Sequence, residues 1–146
     1  MKTVCFLGDS ITEGCCATRP ELGYVEVVKK LGGLAAARNY GISGTRLARQ
    51  VKPSLNAQFD LDFPSRVEAM DPDADLVVVF GGTNDFGHGD APFGKFSDRT
   101  ADTFCGALHE LYTALLNKYP ASTIMMITPL HRTGEDIPKQ NGKVLQ

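Results

Sequence analysis

Short apolar runs alternate along the chain with stretches in which apolar positions recur every three or four residues. Val4-Cys5-Phe6-Leu7 is too short and too uniformly apolar for an amphipathic helix and reads as a buried strand. Residues 34–40 read as a second strand and residues 76–80, Leu-Val-Val-Val-Phe, as a third. This third run is continuously apolar and β-branched, as expected when helices cover both faces of a sheet. Residues 122–128 read as a fourth strand, with Met125 and Met126 expected to fill core space. Between the first two strands, Tyr24, Val27, Val28 and Leu31 fall at i, i+3, i+4 and i+7 and predict a helix with that stripe against the core. Glu21, Glu26, Lys29 and Lys30 lie off the stripe, Pro20 suits a first helical turn, and Gly32-Gly33 stops the helix. Residues 45–51 predict a short helix, residues 52–64 a connection broken by Pro53 and Pro64, and residues 66–70 a helical turn. Phe104, Leu108, Leu111 and Leu115 predict the longest helix, with His109 well around from the stripe and in solvent. Residues 133–146 are polar and show no clear element. Strands alternating with helical patterns indicate an α/β domain built on a parallel sheet.

Three of these strands run into small residues. The first ends in Gly8-Asp9-Ser10, the second in Gly41-Ile42-Ser43-Gly44, the third in Gly81-Gly82-Thr83-Asn84-Asp85. In open parallel sheets the carboxyl ends of the strands are where ligands bind. Ser10 reads as a nucleophile or as a helix N-cap. The Gly41–Gly44 turn reads as a site that offers a bare backbone N–H, or as an ordinary strand-to-helix turn. Asn84 reads as a side-chain donor into the site or as part of an Asx turn, with Thr83 or Asn84 capping a helix. His88, in the glycine-rich stretch 86–96, and His131, leaving the fourth strand at the same edge, are candidates to line a pocket mouth.

Composition narrows the field. A chain of 146 residues with 42% apolar content is long enough for one domain with a sizeable core. The formal charge of −2 and the lack of a basic block argue against nucleic acid or an anionic membrane as the partner. No stretch approaches transmembrane length and the N-terminus has no secretory pattern. Cys5, Cys15, Cys16 and Cys105 form no C-x-x-C pair and no Cys/His cluster at zinc spacing, so they read as reduced thiols of a cytoplasmic protein. The adjacent Cys15 and Cys16 are expected to pack in a loop, with a reactive thiol as the other reading. Neither G-x-G-x-x-G nor G-x-x-x-x-G-K-[ST] occurs, which weighs against a nucleotide or flavin binder.

Taken together, Gly8-Asp9-Ser10-Ile11-Thr12, Gly44 within Gly-Ile-Ser-Gly, and Gly82-Thr83-Asn84-Asp85 resemble the first three blocks of the SGNH hydrolases, the GDSL esterases and lipases, in order and each after a predicted strand. The resemblance implies a flavodoxin-like three-layer α/β/α fold with a parallel sheet, here in the order 2-1-3-4 with the family's fifth strand missing. It implies hydrolysis of carboxylic esters of small molecules, lipids or acetylated sugars, without metal or cofactor. It makes Ser10 the nucleophile and the backbone N–H groups of Ser10 and Gly44, with the Asn84 amide, the oxyanion hole. Asp9 and Asp85 become supporting residues. Asp9 is read as positioning, because an aspartate with pKa ≈ 4 is a poor base near neutrality. The family's fourth block, Asp-x-x-His, which supplies the general base and its orienting acid, does not follow Asn84. Residues 1–146 are therefore expected to form a single, C-terminally truncated domain with impaired catalysis. His88 and His131 are read as pocket residues, and a non-catalytic carbohydrate- or acyl-binding module is the alternative. The fourth strand, left as an apolar edge, is expected to promote homo-oligomers.

Overall fold

The computed structural model describes residues 2–138. Four strands, β1 (Thr3–Gly8), β2 (Ala36–Gly41), β3 (Leu76–Phe80) and β4 (Thr123–Ile127), make one sheet in the order β2-β1-β3-β4, each neighbouring pair parallel. This is the α/β arrangement and strand order expected. Parallel neighbours need crossover connections, which helices supply. α1 (Ser10–Glu13) and α2 (Tyr24–Gly32) lie between β1 and β2, α3 (Phe63–Arg66) between β2 and β3, and α4 (Thr83–Gly87) and α5 (Phe104–Lys118) between β3 and β4. The register sets Gly8 opposite Gly41 on one side and Phe80 on the other, so β1, β2 and β3 end level with one another.

Alternation along the strands divides the side chains between two faces. Cys5, Leu7, Val77 and Val79 face the larger core, closed by Phe63, Val67 and the α5 residues Leu111 and Leu115. Each such side chain contributes about 1.5–3 kcal/mol by leaving water. Val4, Phe6 and Val78 face the other way, against Val25 of α2. α5 follows its predicted stripe: Leu111 and Leu115 are fully buried, Phe104 and Leu108 pack beside them, and His109 is exposed. Thr103 starts that helix by accepting from the Gly106 N–H at 3.1 Å.

Elsewhere the structure corrects the expectations. In α2 it is Val25 that is buried, while Val28 and Leu31 of the predicted stripe are 42% and 82% exposed. The helix packs on the sheet through Tyr24 and Val25, against Val4, Phe6 and Val78, and the rest of the stripe faces outward. Residues 45–51 form no helix, for a reason found at the site below. Pro64 does not break the chain; it occupies the first turn of α3, where its missing N–H is not needed, and Asp62 caps the helix by accepting from Ser65 N–H at 2.8 Å. The helical turn expected at 66–70 thus begins earlier. Met126 packs on the larger core as expected, but Met125, paired with Val78 in the sheet, is 49% exposed. Cys15 and Cys16 are exposed and not packed. Of the polar stretch 133–146, residues 139–146 lie outside the described residues.

Candidate active site

At the end of β1 the chain turns directly into α1. Asp9, not Ser10, is the N-cap: its Oδ1 accepts from the Ile11 N–H at 2.9 Å, and Ser10 is the first helical residue. Asp9 is almost fully buried. Burial raises its carboxyl above the usual aspartate range and the nearby Asp85 adds to that, against the Ile11 N–H and the Arg66 charge. Ser10 is half-buried, and among the described residues its hydroxyl makes no hydrogen bond and its backbone N–H finds no acceptor.

The second turn is pressed against the first. A Cβ on Gly41 would stand 2.0 Å from the backbone nitrogen of Glu13, so only glycine lets β2 pass this close to α1. The Glu13 carboxylate accepts from the Ser43 N–H at 2.8 Å and from the Ser43 hydroxyl. Ile42 N–H donates to the Gly8 carbonyl at 3.1 Å. Gly44 then takes φ +76°, a left-handed conformation that side-chain-bearing residues rarely adopt, and its N–H has no acceptor among the described residues. Behind both turns lies the buried guanidinium of Arg66. It donates to the Gly8 carbonyl at 3.1 Å, to Thr45 Oγ1 at 2.9 Å and to the Tyr40 carbonyl, tying the ends of β1 and β2 to the turn. Burial lowers its pKa to about 10, so it remains charged at neutral pH.

The third turn supplies an amide of defined orientation. Gly82 caps α4, so Thr83 and Asn84 are helical residues and neither acts as cap. Asn84 Nδ2 donates to the Thr45 carbonyl at 2.9 Å. Its Oδ1 lies 3.2 Å from His88 Nε2, and His88 Nδ1 lies 2.9 Å from Arg46 Nη2. A guanidinium can only donate, so Nδ1 accepts and the imidazole proton is on Nε2, where it donates to Asn84. Partial burial and the Arg46 charge hold the His88 pKa below its usual value. One N–H of the Asn84 amide is left for another acceptor. Next to it, the buried Asp85 accepts from Leu47 N–H at 2.8 Å and Ala48 N–H at 2.9 Å. Those amides are satisfied by a carboxylate instead of by helical carbonyls, which is why residues 45–51 stay irregular.

The three turns therefore leave adjacent, level strands about 4.8 Å apart. Hydrogen bonds join the first to the second and the second to the third. His131 leaves β4 at this edge, but its ring pairs with Glu135 at 2.7 Å, its side chain is 98% exposed, and no hydrogen bond links it to Ser10. Arg132 returns the same segment to α4, donating to Thr83 Oγ1 at 2.8 Å and lying over the Phe86 ring. Sequence reasoning missed Arg66, Arg46, Glu13 and Glu135. Each is a lone charged residue with no periodic signal, and its partner is distant in sequence or set by a turn. Among the described residues, no group of three or more His, Cys, Asp or Glu gathers to hold a metal ion, and no helix is long and apolar enough to cross a membrane.

Comparison with known proteins agrees with this fold. The model of the GDSL-like lipase/acylhydrolase family matches residues 6–144. Among solved structures, one crystal structure is 29% identical with a TM-score of 0.81, covering 99% of this chain and 68% of its own. A protein from Lactobacillus plantarum is 28% identical with a TM-score of 0.79, covering 99% of this chain and 66% of its own. The chain thus spans about two thirds of the length of these two neighbours. A protein from Bacteroides uniformis described as a GDSL-like lipase shares the fold at 24% identity and a TM-score of 0.75, covering 91% of this chain and 73% of its own. The comparison with curated proteins finds no match.

Proposed function

The chain belongs to the GDSL-like lipase/acylhydrolase family, a family of ester hydrolases, and from that premise we propose that it cleaves carboxylic esters with Ser10 as the nucleophile. The reading is carried by the unpartnered donors beside that serine. The N–H groups of Ser10 and Gly44 have no acceptor among the described residues, and Asn84 keeps one amide N–H after donating to Thr45. In the reaction the Ser10 oxygen attacks the ester carbonyl carbon, its proton passes to a base, and the carbonyl oxygen takes the negative charge. The three donors hold that oxygen, then do so again when water cleaves the acyl-serine. Because they are oriented beforehand, each contributes without reorganisation, and losing one costs about 3 kcal/mol of transition-state stabilisation. Asp9 positions Ser10 by capping α1; Asp85 holds residues 47 and 48; His88 holds the Asn84 amide.

The substrates are esters of small molecules, lipids or acetylated sugars. Among the described residues no histidine is hydrogen-bonded to Ser10, and the His131–Glu135 pair faces solvent. That same observation favours a second reading, a non-catalytic carbohydrate- or acyl-binding module built on the same donors. The two separate in one experiment. The chain is treated with a serine-directed fluorophosphonate and assayed on p-nitrophenyl acetate beside Ser10→Ala. Labelling at Ser10, with turnover lost in Ser10→Ala and kept within about twofold in His131→Ala, supports the hydrolase. Turnover equal in wild type and Ser10→Ala overturns it, and no labelling with no turnover selects the binding module.

A further inference from the structure

Two of the cysteines serve neither the core nor the ester chemistry. Cys15 and Cys16 follow α1 in an exposed turn, with their sulfurs 3.6 Å apart. Cys16 has φ +68°, and among the described residues it is the one non-glycine in the left-handed region. The turn is held at both sides: Cys15 N–H donates to the Ser10 carbonyl at 2.9 Å and Ala17 N–H to the Gly14 carbonyl at 3.1 Å. Cys5 and Cys105 are buried and compete for neither reagent nor partner. We propose that Cys15 and Cys16 are a modification site, a vicinal dithiol that a hydroperoxide converts reversibly into a disulfide between neighbouring residues.

The chemistry balances with the peroxide as the only oxidant. One thiolate attacks the peroxide, forming a sulfenic acid and releasing the alcohol, or water if the oxidant is hydrogen peroxide. The second sulfur attacks the sulfenic sulfur and expels water. The two thiols lose two electrons and two protons in all, and one S–S bond forms. The neighbouring thiol is already in van der Waals contact, so the second step needs side-chain rotation together with distortion of the peptide unit between the two cysteines. Adjacent Cα atoms are about 3.8 Å apart across a trans peptide, short of the usual disulfide span of roughly 4.4–6.8 Å. The bond is therefore strained, and strained, exposed disulfides are the readily reduced ones. The Cys16 sulfur raises the Cys15 pKa by hydrogen bonding and by charge, so oxidation is faster in mildly alkaline buffer. The site stands whether or not Ser10 is a nucleophile.

The test is intact-mass spectrometry of the reduced full chain after one equivalent of hydrogen peroxide, beside Cys15→Ser and Cys16→Ser. The expected result is a loss of two hydrogens, mapped by fragmentation to residues 15–16, reversed by glutathione and absent from both variants. The proposal is overturned if the chain gains oxygen instead, stays unchanged, or loses two hydrogens in either variant.

Discussion

His88 sets the orientation of the Asn84 amide. The Nε2 proton, placed there because Arg46 occupies Nδ1, selects Oδ1 of Asn84 as its acceptor and directs Nδ2 toward the Thr45 carbonyl. Removing that selection leaves the amide held by the Thr45 carbonyl alone. His88→Ala is expected to lower kcat on p-nitrophenyl acetate about tenfold, or about 1.4 kcal/mol, with KM little changed. This is less than the about 3 kcal/mol for losing a donor outright. His88→Gln, which can still donate to Oδ1, is expected to recover most of the loss. Equal rates in all three proteins would remove His88 from the positioning of Asn84.

The same contact gives stability a pH dependence. The folded His88 pKa lies below that of the unfolded chain, so the unfolded chain takes up the proton first as pH falls. The stabilising contribution is complete above about pH 6.5 and is lost as pH falls from there through the lowered folded value. Urea midpoints measured from pH 7.5 to 5 should fall more steeply for the wild type than for His88→Gln. Parallel curves would contradict this.

Asp85 replaces a helix with a carboxylate. Its two charge-assisted bonds to Leu47 and Ala48 N–H are each worth about 1.5–3 kcal/mol, and both amides lose their partner in Asp85→Ala. The variant is expected to be destabilised by about 3 kcal/mol in urea titration, with amide exchange rising first in residues 45–51. A change under about 1 kcal/mol would mean that water satisfies these amides equally well.

β4 is the outermost strand of the described sheet, and Met125 on it is half exposed. An apolar strand edge of this kind pairs with other chains unless a charge guards it. Light scattering is expected to show concentration-dependent dimers or larger species, reduced by Met125→Lys. A monodisperse monomer at high concentration would sink this expectation.

Much of this was legible in the linear pattern. The apolar runs at residues 4–7 and 76–80, the leucine repeat of α5 and the three glycine-bounded strand ends are local signals, and local sterics and burial produce them. They determined the strand order through family resemblance and brought Ser10, Gly44 and Asn84 forward as one set. Contacts between distant residues had no such signal. That Asp85 dissolves the predicted helix at 45–51, that α2 buries Val25 and exposes Leu31, and that Arg66 and His88 brace the turns were decided only when the chain closed on itself. Each depends on which polar group is nearest in space, and periodicity along one segment carries no information about a partner forty residues away.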